Sequence, residues 1–263
     1  MPTIREIYDV LFDFAPAYMK MDWDNVGLVC GRFDAEVQRI LVALDPMMDV
    51  FEEANARSCE LVVTHHPLIF QSLKQVNDES FDGRNLLYLI ENGMASLNLH
   101  TNLDCCPGGV NDVLAAKLGL SDVEILNPVG TDEKGRSYGL VRMGEVTEQS
   151  LADFAFFVKR TLSCPGVRFA DAGKPVRRVA VGGGSCGSEI GDVIAAGCDT
   201  FVTADLKYNH FEEAKYRGLN LIDAGHFETE NPVCEVLEGI LQSAFPEISV
   251  FRARAHRDET QFL

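Results

Sequence analysis

The chain repeats itself, and the repeat constrains its fold more than any single motif does. The stretch "RILVALDPMMDVFEEANARSCELVVTHHPLIF", from Arg39, aligns without gaps with "RRVAVGGGSCGSEIGDVIAAGCDTFVTADLKYNHF", from Arg177. A shift of 139 positions places Ile40 to Leu44 on Val179 to Gly183, Cys59 on Cys198 and Thr64 on Thr203. A second match, at a shift of 126, joins "ENGMASLNLHTNLDCCPGGVNDVLAAKLG" to "YRGLNLIDAGHFETENPVCEVLEGIL", so the first copy holds 13 extra residues, placed in the polar loop "QSLKQVNDESFDGR". Each copy reads as strand, helix, strand: a β-branched run, apolar residues at helical spacing, then a second apolar run.

Helices are expected before each copy ("TIREIYDVLFDF", "EQSLADFAFFVKRTL") and after it ("GGVNDVLAAKLG", "PVCEVLEGIL"). The fold class that follows is α/β: two duplicated α/β repeats with mostly parallel or mixed sheets flanked by helices. The polar, turn-rich "NPVGTDEKGRS" marks the boundary, giving a first repeat over 1–126 and a second over 127–263.

Composition narrows the function classes. No apolar run approaches the roughly 18 residues that span a bilayer, and the charged N-terminal pattern is unlike a signal peptide, which places the chain in the cytoplasm. A formal charge of −17 argues against nucleic-acid binding. Eight cysteines without a CxxC pair do not form a disulfide framework and are expected to be small buried hydrophobes.

Two of the six histidines stand together in "LVVTHHPLIF". Successive side chains of a strand point to opposite faces. His65 and His66 can therefore serve one site only if the strand stops there and the backbone turns, a stop that Pro67 favours. Ligands of open α/β sheets bind beyond the carboxyl ends of the strands. His100 and Asp104 follow the next strand of the first half, and at the second shift His226 and Glu230 follow its counterpart. If the halves face each other, these imidazoles and carboxylates meet in one cleft and form a metal inventory, suited to two ions that share a carboxylate and a water.

A rival site is "VGGGSCG", where Gly182, Gly184 and Gly187 match GxGxxG between a strand and a helix. Its repeat partner, "LDPMMDV", keeps the turn without the glycines. A structural tight turn and a phosphate-binding loop are both open readings of Gly182–Gly187, with the turn favoured.

Together these motifs resemble the NIF-three-like family, the GTP cyclohydrolase 1 type 2 homologues. The residues that carry the resemblance are "WDNVGL" at Trp23–Leu28, "THHP" at Thr64–Pro67, "NLHTNLD" at Asn98–Asp104, "GGVND" at Gly108–Asp112 and "DAGHFETE" at Asp223–Glu230. The resemblance implies intertwined repeats, a toroidal homohexamer and a dinuclear centre of two divalent transition-metal ions per chain (Zn, Fe or Mn). It implies the ligands His65, His66, Asp104, His226 and Glu230, with His100 beside the metals as the catalytic group that orients or shuttles a proton. One departure is "DLKYNHFEEA", where many members have a histidine at the position of Asn209. The activity so implied is hydrolysis of a nucleotide or similar cyclic amide by a metal-bound water. The alternatives are a metal-handling protein and a hexameric scaffold whose metal is structural. Five donors for two ions leave positions open to water, which favours the hydrolase.

Overall fold

The β-branched runs become the inner strands of two mixed sheets in a computed structural model that describes all residues, 1–263. The chain forms two compact units, one of Met1–Cys106 and Val233–Arg257, the other of Pro107–Pro232 and Asp258–Leu263.

The first unit opens with α1 (Ile4–Phe14), whose Thr3 and Glu6 close a reciprocal capping box while Ile4, Ile7 and Leu11 are buried. Then follow β1 (Gly27–Cys30), β2 (Arg39–Ala43), α2 (Met48–Ala56), β3 (Leu61–Thr64), α3 (Phe81–Glu91), β4 (Ala95–Asn98) and the one-turn α4 (Thr101–Cys105). Every residue of β3 and β4 is buried. β3 is the near-continuous apolar run that parallel strands covered on both faces need, while β4 buries Ser96 and Asn98 among its apolar residues. The polar loop read from the sequence is shorter than expected, because its last four residues, Phe81 to Arg84, begin α3 under a Ser80 cap.

The second unit contains α5 (Val110–Lys117), β5 (Ser121–Ile125), the hairpin β6 (Gly130–Thr131) and β7 (Ser137–Tyr138), β8 (Arg142–Gln149), α6 (Leu151–Thr161) and β9 (Arg168–Ala170). It continues with β10 (Val176–Val181), α7 (Ile190–Ala195), β11 (Thr200–Thr203), α8 (Tyr208–Tyr216), β12 (Asn220–Asp223) and α9 (His226–Glu230). Its sheet runs β5-β8-β10-β11-β12-β9, with β10, β11 and β12 parallel and β8 and β9 antiparallel to their neighbours. Alternation along the strands divides the core. Val179, Val181, Val202 and Ile222 pack with α5 and α6 on one face, while Ala180, Phe201 and Leu221 pack with α7 and α8 on the other.

The chain then returns to the first unit with α10 (Val233–Ala244) and β13 (Ser249–Arg252). β13 pairs in parallel with β2 and completes the order β1-β4-β3-β2-β13, in which β1 alone runs antiparallel. A cut at residues 126 and 127 therefore falls inside the second unit, just after β5. Strand pairing decides membership: β5 is bound to β8, and β13, from the far end of the chain, is bound to β2. No helix is long and apolar enough to cross a membrane. None of the eight cysteines forms a disulfide, and all but Cys30 are buried.

Candidate metal centre

In the first unit β3 ends at Thr64, where the sequence anticipated a stop. The backbone then turns: His65 and His66 both donate their N–H groups to the carbonyl of Leu44, at 3.1 and 2.9 Å. Thr64 Oγ1 donates to the carbonyl of His66 at 2.7 Å and holds the turn. The two imidazoles end 4.9 Å apart between centroids, instead of on opposite faces of a sheet. His100, leaving β4 as the cap residue of α4, brings its ring to 5.3 Å from that of His65 and 5.5 Å from that of His66. One ring nitrogen from each of the three lies within 4.8 Å of the others. Asp104, one turn into α4 and buried, places Oδ1 3.5 Å from His65 Nε2.

Each ring is oriented from behind. His65 Nδ1 donates to the carbonyl of Leu99 at 2.9 Å, His66 Nδ1 to Asp45 Oδ1 at 2.5 Å and His100 Nδ1 to Asp24 Oδ1 at 2.8 Å. A neutral imidazole that donates from Nδ1 carries its lone pair on Nε2. This arrangement, with a carboxylate or carbonyl behind the ring, is how metal-ligating histidines are held. Burial would raise the pKa of Asp24, but the hydrogen bonds from His100 and Thr101 outweigh it and bring the carboxyl down to about 2. Burial would likewise raise Asp45, and His256 and His66 hold it far below the usual range. His256 donates from Nε2 to Asp45 Oδ2 at 2.7 Å, so one carboxylate serves two imidazoles.

In the second unit His226 and Glu230 lie one helical turn apart on the same face of α9. His226 Nδ1 donates to Asp205 Oδ2 at 2.7 Å, and its Nε2 is 2.9 Å from Glu230 Oε2. Burial would lower the pKa of His226, but the two carboxylates outweigh it and push the imidazole up to about 11. Without metal the three groups are thus a carboxylate, an imidazolium and a second carboxylate in a row. A dication bound there would take the place of a proton.

The glycine loop is explained by this pair. Gly184 has φ +61°, and a Cβ on it would lie 2.1 Å from Glu230 Oε1 and 2.9 Å from His226 Nε2. Its N–H donates to Thr229 Oγ1 at 3.0 Å, that of Gly183 to Asn111 Oδ1 at 2.7 Å and that of Cys186 to Thr203 Oγ1 at 3.1 Å. These donors are spent inside the protein, so the loop is a tight turn that makes room for Glu230 and His226.

The strand ladders correct the second repeat match by one residue. Thr64 pairs with Asn98, and its counterpart Thr203 with Asp223, which sets a shift of 125 where the sequence suggested 126. On the ladder His100 therefore corresponds to Gly225, and both are cap residues of their helices. His226 corresponds to Thr101. The shared His-x-x-x-acid spacing is a likeness of sequence and does not superpose in space.

Four groups escaped the sequence reading. Asp24 lies within "WDNVGL", Asp45 within the partner of the glycine loop, and Asp205 at the position matched to His66; those places were the available signals. His256 had none, lying 211 residues from the carboxylate it meets. His210 accepts at Nδ1 from the N–H of Lys207, at 3.2 Å, at the start of α8.

Comparison with known proteins agrees with the motifs. A "GTP cyclohydrolase 1 type 2 homolog" of Clostridium perfringens is 30% identical over 99% of both chains. One from Streptomyces coelicolor is 40% identical, covering 90% of this chain and 84% of its own. Among solved structures, a Bacillus cereus protein related to NIF3 superposes with a TM-score of 0.93 at 24% identity, over 100% of this chain and 99% of the other, a likeness of fold. A Staphylococcus aureus hypothetical protein gives 0.91 at 30% identity over 99% of each chain. The description Duf34/NIF3 (NGG1p interacting factor 3) matches residues 2–259, and the chain belongs to that family.

Proposed function

We propose that His65, His66, Asp104, His226 and Glu230 together bind two divalent transition-metal ions, and that the protein is a metal-dependent hydrolase of a nucleotide or similar cyclic amide. The observation that carries the reading is the anchoring of His65, His66, His100 and His226 through Nδ1, to a carbonyl or a carboxylate. Imidazole nitrogens with two carboxylates suit Zn, Fe or Mn. The names of the relatives support the substrate class.

A bound dication would supply Lewis acidity and lower the pKa of water. The remaining work falls to the chain. Asp45, Asp205 and the Leu99 carbonyl fix the rings of His66, His226 and His65. Asp24 fixes His100, whose Nε2 can take up or return a proton beside the reacting group. By the family resemblance we propose a homohexamer as the working assembly. A metal-handling role is the second reading. It is favoured by His226, whose side chain beside Glu230 is 34% exposed and so open to an exchanging ion.

The test is elemental analysis of protein purified without chelator or nickel affinity, followed by a nucleotide hydrolysis screen. About two ions per chain and turnover abolished by chelation are expected. No transition metal bound, and none taken up on addition, would overturn the site. Two ions without turnover of any nucleotide would favour metal handling.

A further inference from the structure

We propose that Trp23 and Phe70 form a stacking wall for a flat heteroaromatic ring, so that the ligand of the first unit's histidine cluster must carry one. The proposal rests on reading that cluster as part of a reactive site, and deepens it by naming what selects the ligand. Trp23 is 62% exposed and Phe70 is 51% exposed. Their ring centroids are 5.6 Å apart with planes inclined at 62°. Both rings approach His100 edge-on, at 6.1 and 6.2 Å. The two rings are not stacked face to face on each other, and more than half of each residue's surface is in water. Large aromatic surface held in water beside polar groups marks a binding site.

The wall is fixed in place before any ligand arrives. Asn25 Nδ2 donates to the carbonyl of Ile69 at 2.7 Å, tying the Trp23 loop to the residue before Phe70. Asn98 Nδ2 donates to the carbonyl of Asn25 at 2.9 Å, tying the same loop to the end of β4. Asp24, between Trp23 and Asn25, accepts from His100 Nδ1, from the Thr101 N–H at 3.0 Å and from Thr101 Oγ1 at 2.5 Å. One short segment thus orients an imidazole and carries an indole beside it. A wall ordered during folding costs little to use in binding. A π-face accepts any planar ring, whereas a sugar phosphate or an aliphatic amide offers nothing to stack.

Trp23 is the only tryptophan in the chain, so its emission reports this place alone. The experiment titrates the whole protein, metal-free and metal-loaded, with GMP, neopterin and nicotinamide, using ribose 5-phosphate and inorganic phosphate as non-aromatic controls. Saturable quenching by at least one ring probe and by neither control is expected. Equilibrium dialysis should then show binding about 5- to 150-fold weaker in Phe70→Ala and Trp23→Leu, with Trp23→Phe near wild type. Ring probes that bind both truncated variants as tightly as wild type would overturn the wall. So would the absence of quenching at about 1 mM, the weak end of ordinary substrate affinities. A changed oligomeric state in Trp23→Leu or Phe70→Ala, read by light scattering, would overturn it too, assigning the pair to contact with another copy. Quenching without any hydrolysis sinks the hydrolase and leaves the wall standing. Hydrolysis indifferent to Trp23→Leu does the reverse.

Discussion

Asp45 and Gly184 occupy the same place in the two repeats, in the turn beyond the first parallel strand, as the ladders of Val42 with Val63 and Val181 with Val202 show. Asp45 reaches out from that turn and holds His66 and His256. Gly184 has no side chain, because Glu230 and His226 come in from α9 and fill the space. The next pair of equivalent positions is also exchanged. His66 follows β3, whereas Asp205 follows β11 and serves an imidazole from a different element. The two units therefore share one frame, the carboxyl ends of parallel strands, and each joins imidazole to carboxylate from different positions on it.

The sharpest test of that contrast is Gly184→Ala. Its methyl would have to occupy the space of Glu230 Oε1, on a backbone with φ +61° that disfavours a side chain. Loss of most bound metal is expected, with affinity for the remainder down about 100-fold or more, the upper range for disturbing a ligand's support. Isothermal titration of the metal-free variant with Zn measures it. If Gly184→Ala binds as wild type does, Glu230 is no ligand and the glycine was only a turn.

Next in size is Asp45→Asn, which removes the charge that orients His66 and His256 together. Metal affinity should fall about 10- to 100-fold. Asp205→Asn, which supports one imidazole, should lie at the lower end of that range. Equal losses would mean that the sharing of Asp45 by two rings has no consequence for the site.

The same contrast explains what the sequence could reveal. The frame was legible because buried parallel strands need continuous apolar runs: "LVVT" of β3 and "TFVT" of β11 could hardly be anything else. His65 and His66 were legible because two adjacent ring ligands require a broken strand, and proline announced one. The partners of the rings were hidden. Asp45 and Asp24 meet their histidines across 21 and 76 residues, and the fold alone determines which aspartates of an acidic chain come near a ring. The shift of 126 misled because sequence similarity rewards identical residues. The backbones instead run in step: Leu99 and His100 lead into α4 as Ala224 and Gly225 lead into α9, so His226 opens its helix where Thr101 opens the other.

A smaller effect on binding, with a larger one on rate, separates His100 from its neighbours. His65→Ala should strip metal, whereas His100→Ala should keep it and lose about 100-fold in turnover, the usual contribution of a positioned acid or base. Asp24→Asn should follow His100→Ala in rate while keeping the metal, because the carboxylate that accepts from His100 Nδ1 and fixes the ring is gone. Metal content as low in His100→Ala as in His65→Ala would make His100 a direct ligand and erase the division of roles.

The smallest expected effect is on the stability of the metal-free protein as pH changes. His226 is raised from an ordinary 6.5 to about 11, since its two carboxylates outweigh the burial that would lower it. A group whose folded pKa is raised contributes stability that is fully present below its unfolded value and is lost as pH rises through the folded one. Urea unfolding in excess chelator should therefore show wild type weakening between about pH 7 and about pH 10. Asp205→Asn should weaken less over that interval, because only Glu230 then holds the proton in place. The difference will be modest and will shrink in salt, as the His226 side chain is 34% exposed. Metal loading should reverse the trend, since the ion displaces that proton and binds more tightly as pH rises. If wild type and Asp205→Asn share one slope in chelator, Asp205 does not hold His226 in its charged form. The contrast between a clamped imidazolium in the second unit and anchored ring ligands in the first would then rest on geometry alone.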